Sequence, residues 1–206
     1  MKRCTIFCAG DFHGLAAPID HSMVIAADGG LRHLQALNIQ PDVVLGDFDS
    51  LGYTPTDARV FPVEKDDTDS MLAVRHGLDA GCRSFILYGA LDGPRLDHTI
   101  ANLQTLMFLA QHGASGTLVG KDHIVTVVKD GAIRLPAQSE GIVSLFCMGE
   151  DAKGVTIKNL QYELENGTLS AAFPLAVSNH FIGKEALIQV QDGALLLIYP
   201  RSVGII

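Results

Sequence analysis

The pattern of apolar residues changes near residue 122, and this change constrains the fold more than any other feature of the chain. Before it, short apolar runs typical of buried strands alternate with segments of helical spacing. The predicted strands of this part lie at 5–9, 23–27, 43–45, 60–63, 85–88 and 117–119. The predicted helices lie at 30–37, 68–78 and 96–112. Strands that alternate with helices indicate an α/β domain with a mainly parallel sheet.

After residue 122 only short β-prone runs are found, with turn signals between them. We predict strands at 124–128, 132–135, 142–147, 154–160, 162–164, 169–173, 186–190 and 194–199. The turn signals are Asp130-Gly131, Asn166-Gly167 and Asp192-Gly193. The sequence therefore predicts an α/β domain at 1–122, followed by an all-β sandwich at 123–206.

Composition excludes several classes of protein. Hydrophobic residues make up 48% of the chain and charged residues 18%, which is typical of a folded protein rather than a disordered one. The net charge of −8 argues against a nucleic-acid-binding surface. The four cysteines form no CxxC pair, and the first apolar run is too short for a signal peptide or a membrane span. We therefore expect a cytoplasmic protein that binds neither nucleic acid nor membrane.

Four aspartates lie beside predicted strands in the first half of the chain: Asp28 in AADGG, Asp47 and Asp49 in VVLGDFDS, and Asp69 in KDDTD. Since the fold brings such positions to one edge of the sheet, their negative charges require a cation nearby. Side chains two residues apart in extended backbone point the same way, so Asp47 and Asp49 are expected to reach one ion together. A hard divalent cation, Mg²⁺ carrying a polyphosphate, suits these oxygen ligands.

Two segments that precede predicted helices carry further candidates. In KDDTD, Asp66 is expected to cap the helix, Asp69 to complete a metal shell, and Lys65 or Thr68 to contact phosphate. The alternative is a solvated acidic turn.

In GPRLDH, Arg95 suits a bidentate phosphate contact, and Asp97 suits orienting it or binding substrate. The alternative is an ion pair between the two at a helix N-terminus. His98 is more typical of a structural residue, and by pattern alone Ser178-Asn179 in PLAVSNHF is a turn or bulge.

Together, AADGG, PDVVLGDFDS, KDDTD, GPRLDH with IANLQTL, and VSNHF occur in the order and spacing of the thiamine pyrophosphokinases, also called thiamine diphosphokinases. The chain resembles this family over nearly its whole length. One difference is that Pro94 stands directly before Arg95, where many members have a pair of glycines; it removes a backbone N–H from the loop.

The resemblance implies a catalytic N-terminal domain that binds ATP and Mg²⁺, and a C-terminal sandwich for thiamine binding and dimerisation. The implied reaction converts thiamine and ATP to thiamine diphosphate and AMP, in a homodimer with active sites at the subunit interface. By motif, Asp28, Asp47, Asp49 and Asp69 fall on the family's acidic positions for metal binding and catalysis, with Asp28 expected on the nucleotide side. Arg95 and Asp97 fall on its substrate and phosphate contacts. Ser178 and Asn179 are implied to bind thiamine, and base catalysis is expected to be minor, because an aspartate of pKa about 3.9 is a weak base for an alcohol.

Two other functions are compatible with the residues. A phosphatase that forms an aspartyl-phosphate also uses DxD after a strand, although usually after the first strand of its domain. A module that binds thiamine or a nucleotide without catalysis is the second alternative. In this chain DxD follows the third predicted strand, and a non-catalytic module would not need so many acidic residues, so a diphosphotransferase is favoured over both.

Overall fold

A computed structural model describes residues 1–19, 21–49, 51–62 and 66–206. The chain forms two compact units, Met1–Lys121 and Asp122–Ile206. The predicted fold class, α/β followed by a β-sandwich, is confirmed. No helix in the described ranges is long and apolar enough to cross a membrane.

The first unit is a parallel sheet with helices in its connections. Its strands are β1 (Arg3–Phe7), β2 (Ser22–Ala27), β3 (Val43–Gly46), β4 (Arg59–Val60), β5 (Ser84–Tyr88) and β6 (Ser115–Val119). Its helices are α1 (Leu31–Ala36), α2 (Asp69–Asp79) and α3 (Leu96–Gln111). Strands β1, β5 and β6 are almost entirely buried, which explains why they appear in the sequence as unbroken apolar runs.

The strand order of this sheet is β6-β5-β1-β2-β3-β4, and every pair is parallel. The chain proceeds outward from β1 to β4 and then returns to place β5 on the other side of β1. Open α/β sheets bind ligands outside the carboxyl ends of their strands at such a reversal of strand order. The topology therefore places a binding crevice beside the loops that follow β1 and β5.

The second unit consists of two antiparallel sheets. Its strands are β7 (His123–Lys129), β8 (Ala132–Leu135), β9 (Ile142–Cys147), β10 (Ala152–Lys158), β11 (Leu164–Leu169), β12 (Asn179–His180), β13 (Ala186–Gln189) and β14 (Ala194–Pro200). They are ordered β12-β9-β14-β7 in one sheet and β11-β10-β13-β8 in the other. One core draws on both sheets, with Leu145 and Leu197 from the first and Ile157 and Ile188 from the second.

The predicted turn at Asn166-Gly167 is wrong, because both residues lie inside β11. Asn166 has a φ of 50°, and the pairing of β10 with β11 shifts register between Val155 and Ile157, which indicates a β-bulge. Consequently 169–173, predicted as a strand, is mostly a turn, and β11 ends at Leu169.

The regularly spaced apolar positions of α3 do not form its buried face. Leu96 and Ile100 are exposed, whereas Asn102, Thr105, Leu106 and Leu109 are buried. Leu106 and Leu109 pack on β6 where Gly116 leaves room; a Cβ on Gly116 would lie 2.8 and 2.6 Å from their methyl groups. The helix is apolar on two sides, and the structure buries the side that includes the polar residue Asn102.

The start of α1 packs directly against the end of β1. A Cβ on Gly30 would lie 1.8 Å from the carbonyl oxygen of Phe7 and 2.9 Å from the backbone nitrogen of Cys8. Both obstructing atoms belong to the backbone, so the strand itself would have to move. Gly30 is therefore required for the helix to begin this close to the sheet.

Replacing Gly30 by alanine is expected to destabilise the protein by about 3 kcal/mol, at the upper end of the usual cost of overpacking. Gly131→Ala is the matched control, because its Cβ would meet its nearest atom at 3.4 Å, an ordinary contact. Urea denaturation measures both variants. Equal denaturation midpoints for Gly30→Ala and Gly131→Ala would contradict the packing described.

Candidate active site

A cleft of about 650 Å³ opens in the first unit, at the carboxyl ends of the strands. The loops after β1 and β5 contribute Cys8–Gly10 and Gly89–Ala90 to its wall, as the reversal of strand order predicts. The starts of α2 and α3 line it as well. Its carboxylates come from Asp28, Asp47, Asp49, Asp67, Asp69 and Asp92.

Asp28 lies at the end of β2, in a short 3₁₀ turn that leads into α1. It is buried, and its φ of 48° is in the left-handed region that aspartate tolerates better than most residues. Gly46, at the end of β3, allows the two strand ends to approach, since a Cβ on it would lie 3.1 Å from the Asp28 Cβ. This approach brings the residue after β3, Asp47, beside Asp28.

The backbone from Asp47 to Asp49 is not extended, so the predicted reason for the two side chains to point the same way is wrong. Between them, Phe48 has a φ of 62° and a side chain that is 3% exposed. The N–H of Asp49 donates to Oδ1 of Asp47 at 3.2 Å. Asp47 is half-buried and Asp49 is exposed on the cleft wall. A bulky residue in this conformation is strained, and burial of its ring helps to hold it there.

Asp69 is the first residue of α2. The cap of this helix is Thr68 rather than the predicted Asp66, because Thr68 Oγ1 accepts from the Met71 N–H at 3.2 Å. Asp66 lies two residues before this cap. Lys65, predicted to contact phosphate, lies outside the described residues.

Asp28, Asp47 and Asp69 form an acidic cluster in which one carboxylate oxygen from each lies within 4.8 Å of the others. Two like charges about 4 Å apart near a protein surface repel by roughly 4 kcal/mol, so a cation at this point is strongly favoured. Carboxylate oxygens are the ligands that Mg²⁺ prefers, and two or three carboxylates leave positions for substrate phosphate and water. The donor set therefore fits Mg²⁺. Asp49 is not one of the three but lines the same cleft.

Arg95 and Asp97 form a bidentate ion pair at the start of α3. Nε of Arg95 donates to Oδ1 of Asp97 at 3.1 Å, and a terminal guanidinium nitrogen donates to Oδ2 at 2.5 Å. Both side chains are exposed; Arg95 and His98 line the cleft. The guanidinium lowers the pKa of Asp97 to about 2. This is the ion pair that the sequence predicts as the alternative to a phosphate contact. The pair also holds the Arg95 guanidinium at the rim of the cleft.

Four polar residues that the sequence motifs did not indicate also line the cleft. Ser70, Thr99 and Asn102 are joined to neighbouring elements by hydrogen bonds, and Asp92 accepts from the Lys121 N–H at 2.7 Å. One signal was available in the sequence. Asn102 interrupts the apolar residues of α3, and a buried polar residue on a helix requires partners.

Ser178 and Asn179 lie in the second unit. Ser178 is exposed with a φ of 60°, and its N–H donates to the Ser144 hydroxyl at 3.1 Å. Asn179 is buried, and its side chain accepts from the N–H of Tyr162 at 2.9 Å and donates to the carbonyl of Tyr162 at 2.7 Å. Asn179 thereby fixes the loop that carries the exposed Tyr162 ring. Its role in binding substrate stays a prediction, as do the roles of the other site residues.

The fold and the site define a two-unit α/β protein, with an acidic cleft suited to a divalent cation and a separate β-sandwich. Residues 18–117 match a family model described as thiamin pyrophosphokinase, catalytic domain. Residues 123–195 match one described as thiamin pyrophosphokinase, vitamin B1 binding domain. Together the two models match most of the chain, which belongs to the thiamin pyrophosphokinase family.

Solved structures agree on the fold. A thiamine pyrophosphokinase from Bacillus subtilis matches with a TM-score of 0.86 and 22% identity, over 97% of this chain and 99% of that chain. A thiamin pyrophosphokinase from Geobacillus thermodenitrificans matches with a TM-score of 0.82 and 24% identity, over 96% of this chain and 97% of that chain. A thiamin pyrophosphokinase from Candida albicans matches with a TM-score of 0.75 and 13% identity, over 97% of this chain and 88% of that chain. No curated protein sequence matches the chain at a significant level.

The ion pair at the start of α3 predicts how Asp97 titrates. Its pKa of about 2 in the folded protein is below the ordinary aspartate value, so the pair favours folding above that ordinary value, and this contribution is lost as the pH falls toward 2. An NMR titration of the Asp97 carboxyl carbon should show this value in the wild type and a higher one in Arg95→Gln. Arg134→Gln, which removes the exposed partner of Glu185 in the second unit, is the control and should leave Asp97 unchanged. An ordinary pKa for Asp97 in the wild type would contradict the geometry.

Proposed function

We propose that this chain is a thiamine diphosphokinase, which transfers the diphosphoryl group of ATP to the hydroxyl of thiamine and releases AMP. The observation that carries this proposal is the acidic cluster of Asp28, Asp47 and Asp69, which lies within the residues matched by the catalytic-domain model. Membership of the family supplies the reaction. The cluster supplies a place for the metal-bound polyphosphate that the reaction requires.

Mg²⁺ is proposed to be held by Asp47 and Asp69, with Asp28 as the third carboxylate. When bound, it neutralises charge on the phosphoryl oxygens as the transition state develops. Asp49, predicted from the sequence as a further ligand, is exposed on the same cleft and one residue beyond the strained Phe48. We assign it to the substrate side of the site, where it is able to accept a proton or bind a water ligand of the metal.

The basic residues of the cleft are proposed to position the polyphosphate. Arg95 presents a planar guanidinium at the rim, and Asp97 fixes its orientation through two hydrogen bonds. Thr68 uses its hydroxyl oxygen to cap α2, so its contribution to phosphate binding is to hold the start of that helix in place. Lys65 stays a predicted phosphate contact.

In the reaction, the thiamine hydroxyl oxygen forms a bond to the β-phosphorus of ATP, and the bond from that phosphorus to the oxygen bridging the α-phosphate breaks. AMP leaves with that bridging oxygen. The hydroxyl proton passes to Asp49, Asp69 or water after most of the bond breaking, since an aspartate is a weak base and the transition state is loose. Positioning and charge neutralisation therefore account for most of the catalysis.

The thiamine site is proposed to combine the acidic cleft of one subunit with the loop of Ser178 and Asn179 of the partner subunit. The negative cleft attracts the positive thiazolium ring. The chain has no tryptophan, so aromatic stacking must come from other rings; Tyr162, 61% exposed and fixed by Asn179, is available for it. We further propose a homodimer in which Ser178 of one subunit completes the cleft of the other. A cytoplasmic location is proposed because the enzyme consumes ATP.

The proposal is tested by following ATP, AMP and thiamine diphosphate while ATP, Mg²⁺ and thiamine are omitted in turn. AMP and thiamine diphosphate should form in equal amounts, and only when all three are present. ATP hydrolysis without thiamine would indicate a phosphatase. Binding of thiamine without any AMP would indicate a module that lacks catalysis. Either outcome would overturn the proposal.

Removing one carboxylate charge at a time separates metal binding from proton transfer. Asp69→Asn should lower kcat by at least about 100-fold and raise the Mg²⁺ concentration needed for half-maximal activity, since it removes a cluster ligand. Asp49→Asn is also expected to reduce AMP formation to a residual level, and the Mg²⁺ concentration for half-maximal residual activity should change less than in Asp69→Asn. Circular dichroism confirms that both variants fold. Near-wild-type turnover of both variants would remove the metal-site interpretation.

Mixing inactive variants tests the shared site. Subunits carrying Asp69→Asn and subunits carrying Ser178→Ala, unfolded and refolded together, should regain up to about a quarter of wild-type activity, because half of the dimers are mixed and each mixed dimer has one intact site. Each variant refolded alone is the control. No recovery, with mixed dimers present by mass spectrometry, would show that Ser178 acts within its own subunit or not at all.

A further inference from the structure

A chain of hydrogen bonds in the first unit links the start of α2 to α3 and to the loop after β5. Ser70 Oγ donates to Oδ1 of Asn102 at 2.7 Å and lies 3.0 Å from the Thr68 hydroxyl. Nδ2 of Asn102 donates to the carbonyl oxygen of Ala90 at 2.7 Å. Asn102 is 6% exposed and Ser70 is 8% exposed, so water does not substitute freely for these bonds.

The two ends of this chain lie beside the two halves of the proposed site. Thr68 caps α2 and Ser70 is its second residue, so both flank Asp69 of the acidic cluster. Ala90 is the second residue of the loop that leads from β5 to Arg95 at the cleft rim. Asn102 therefore bonds both to the segment of the metal carboxylate and to the segment of the arginine.

We infer that Asn102 is a positioning residue for the proposed reaction: it holds Asp69 in the acidic cluster and sets the position of the arginine loop relative to it. The effect of Asn102 on catalysis rests on the proposed function. The hydrogen-bonded chain itself is observed in the structure and does not depend on that function. An asparagine suits this task because its amide accepts on one side and donates on the other.

The inference predicts a defect in metal binding that is larger than any loss of stability. Without Asn102, the Ser70 hydroxyl and the Ala90 carbonyl lose their partner and Asp69 samples positions away from Asp28 and Asp47. Loss of a group that orients a metal ligand typically lowers metal affinity by about 10- to 100-fold. High metal concentration should restore much of the activity, since the ligands themselves remain.

The test compares Mn²⁺ binding to the resting enzyme, by electron paramagnetic resonance without substrates, in the wild type, Asn102→Ala and Ser70→Ala. Both variants should bind Mn²⁺ about 10-fold or more weakly, and the double variant no more weakly than Asn102→Ala. Ser70→Ala keeps the test informative if Asn102→Ala folds poorly. Thr105→Val is the matched control, because Thr105 is a buried polar residue of the same helix whose hydroxyl bonds only to Ala101 within it.

The outcomes separate this inference from the proposed function. Mn²⁺ affinities of Asn102→Ala and Ser70→Ala equal to that of Thr105→Val, in an enzyme that forms AMP, would overturn the inference and leave the function standing. Weakened Mn²⁺ binding in a protein that forms no AMP would support the positioning role and overturn the function. Activity that returns at high Mn²⁺ in the Asn102 and Ser70 variants, but not in Asp69→Asn, would support both.

Discussion

The rest of the site depends on the repulsion among three carboxylates that the fold holds together. Asp28, Asp47 and Asp69 come from the ends of two neighbouring strands and the start of a helix, and no one of them is close to another in sequence. The local backbone is adapted to this arrangement: Gly46 lets the strand ends approach, and Asp28 and Phe48 have positive φ. A fold that accepts this cost is best explained by a cation that offsets it.

Each strand or helix around the acidic cluster has one role in the site. The reversal of strand order beside β1 opens the cleft, α2 presents Asp69 as its first residue, and Arg95 lies at the rim, directly before α3. Asn102 joins the last two through hydrogen bonds. A buried asparagine has a similar role in the second unit, where the amide of Asn179 fixes the loop that carries Tyr162. Buried amides thus hold the elements that present the exposed functional groups.

The sequence predicted the parallel sheet, the sandwich and the aspartates at the strand ends, because unbroken apolar runs and their flanking polar residues are local signals. The predictions that were wrong concern local conformations and buried faces that tertiary contacts determine. The left-handed Phe48 is not foreseeable, since phenylalanine rarely adopts that conformation and the burial that helps to hold it there depends on tertiary contacts. Asn166-Gly167 suits a bulge as well as a turn. Helix α3 is apolar on two sides, and the packing of Leu106 and Leu109 on β6 and the partners of Asn102 determine which side is buried.

The most direct test of the central claim is the phosphorus hyperfine coupling of Mn²⁺ bound to the enzyme with an ATP analogue whose α,β-bridging oxygen is replaced by methylene. The analogue does not react, because the bond that the proposed reaction breaks is blocked. We expect a Mn²⁺–phosphorus coupling in the wild type that is lost when Asp47 and Asp69 are both replaced by asparagine. A coupling unchanged in that double variant would show that the metal-bound polyphosphate lies elsewhere.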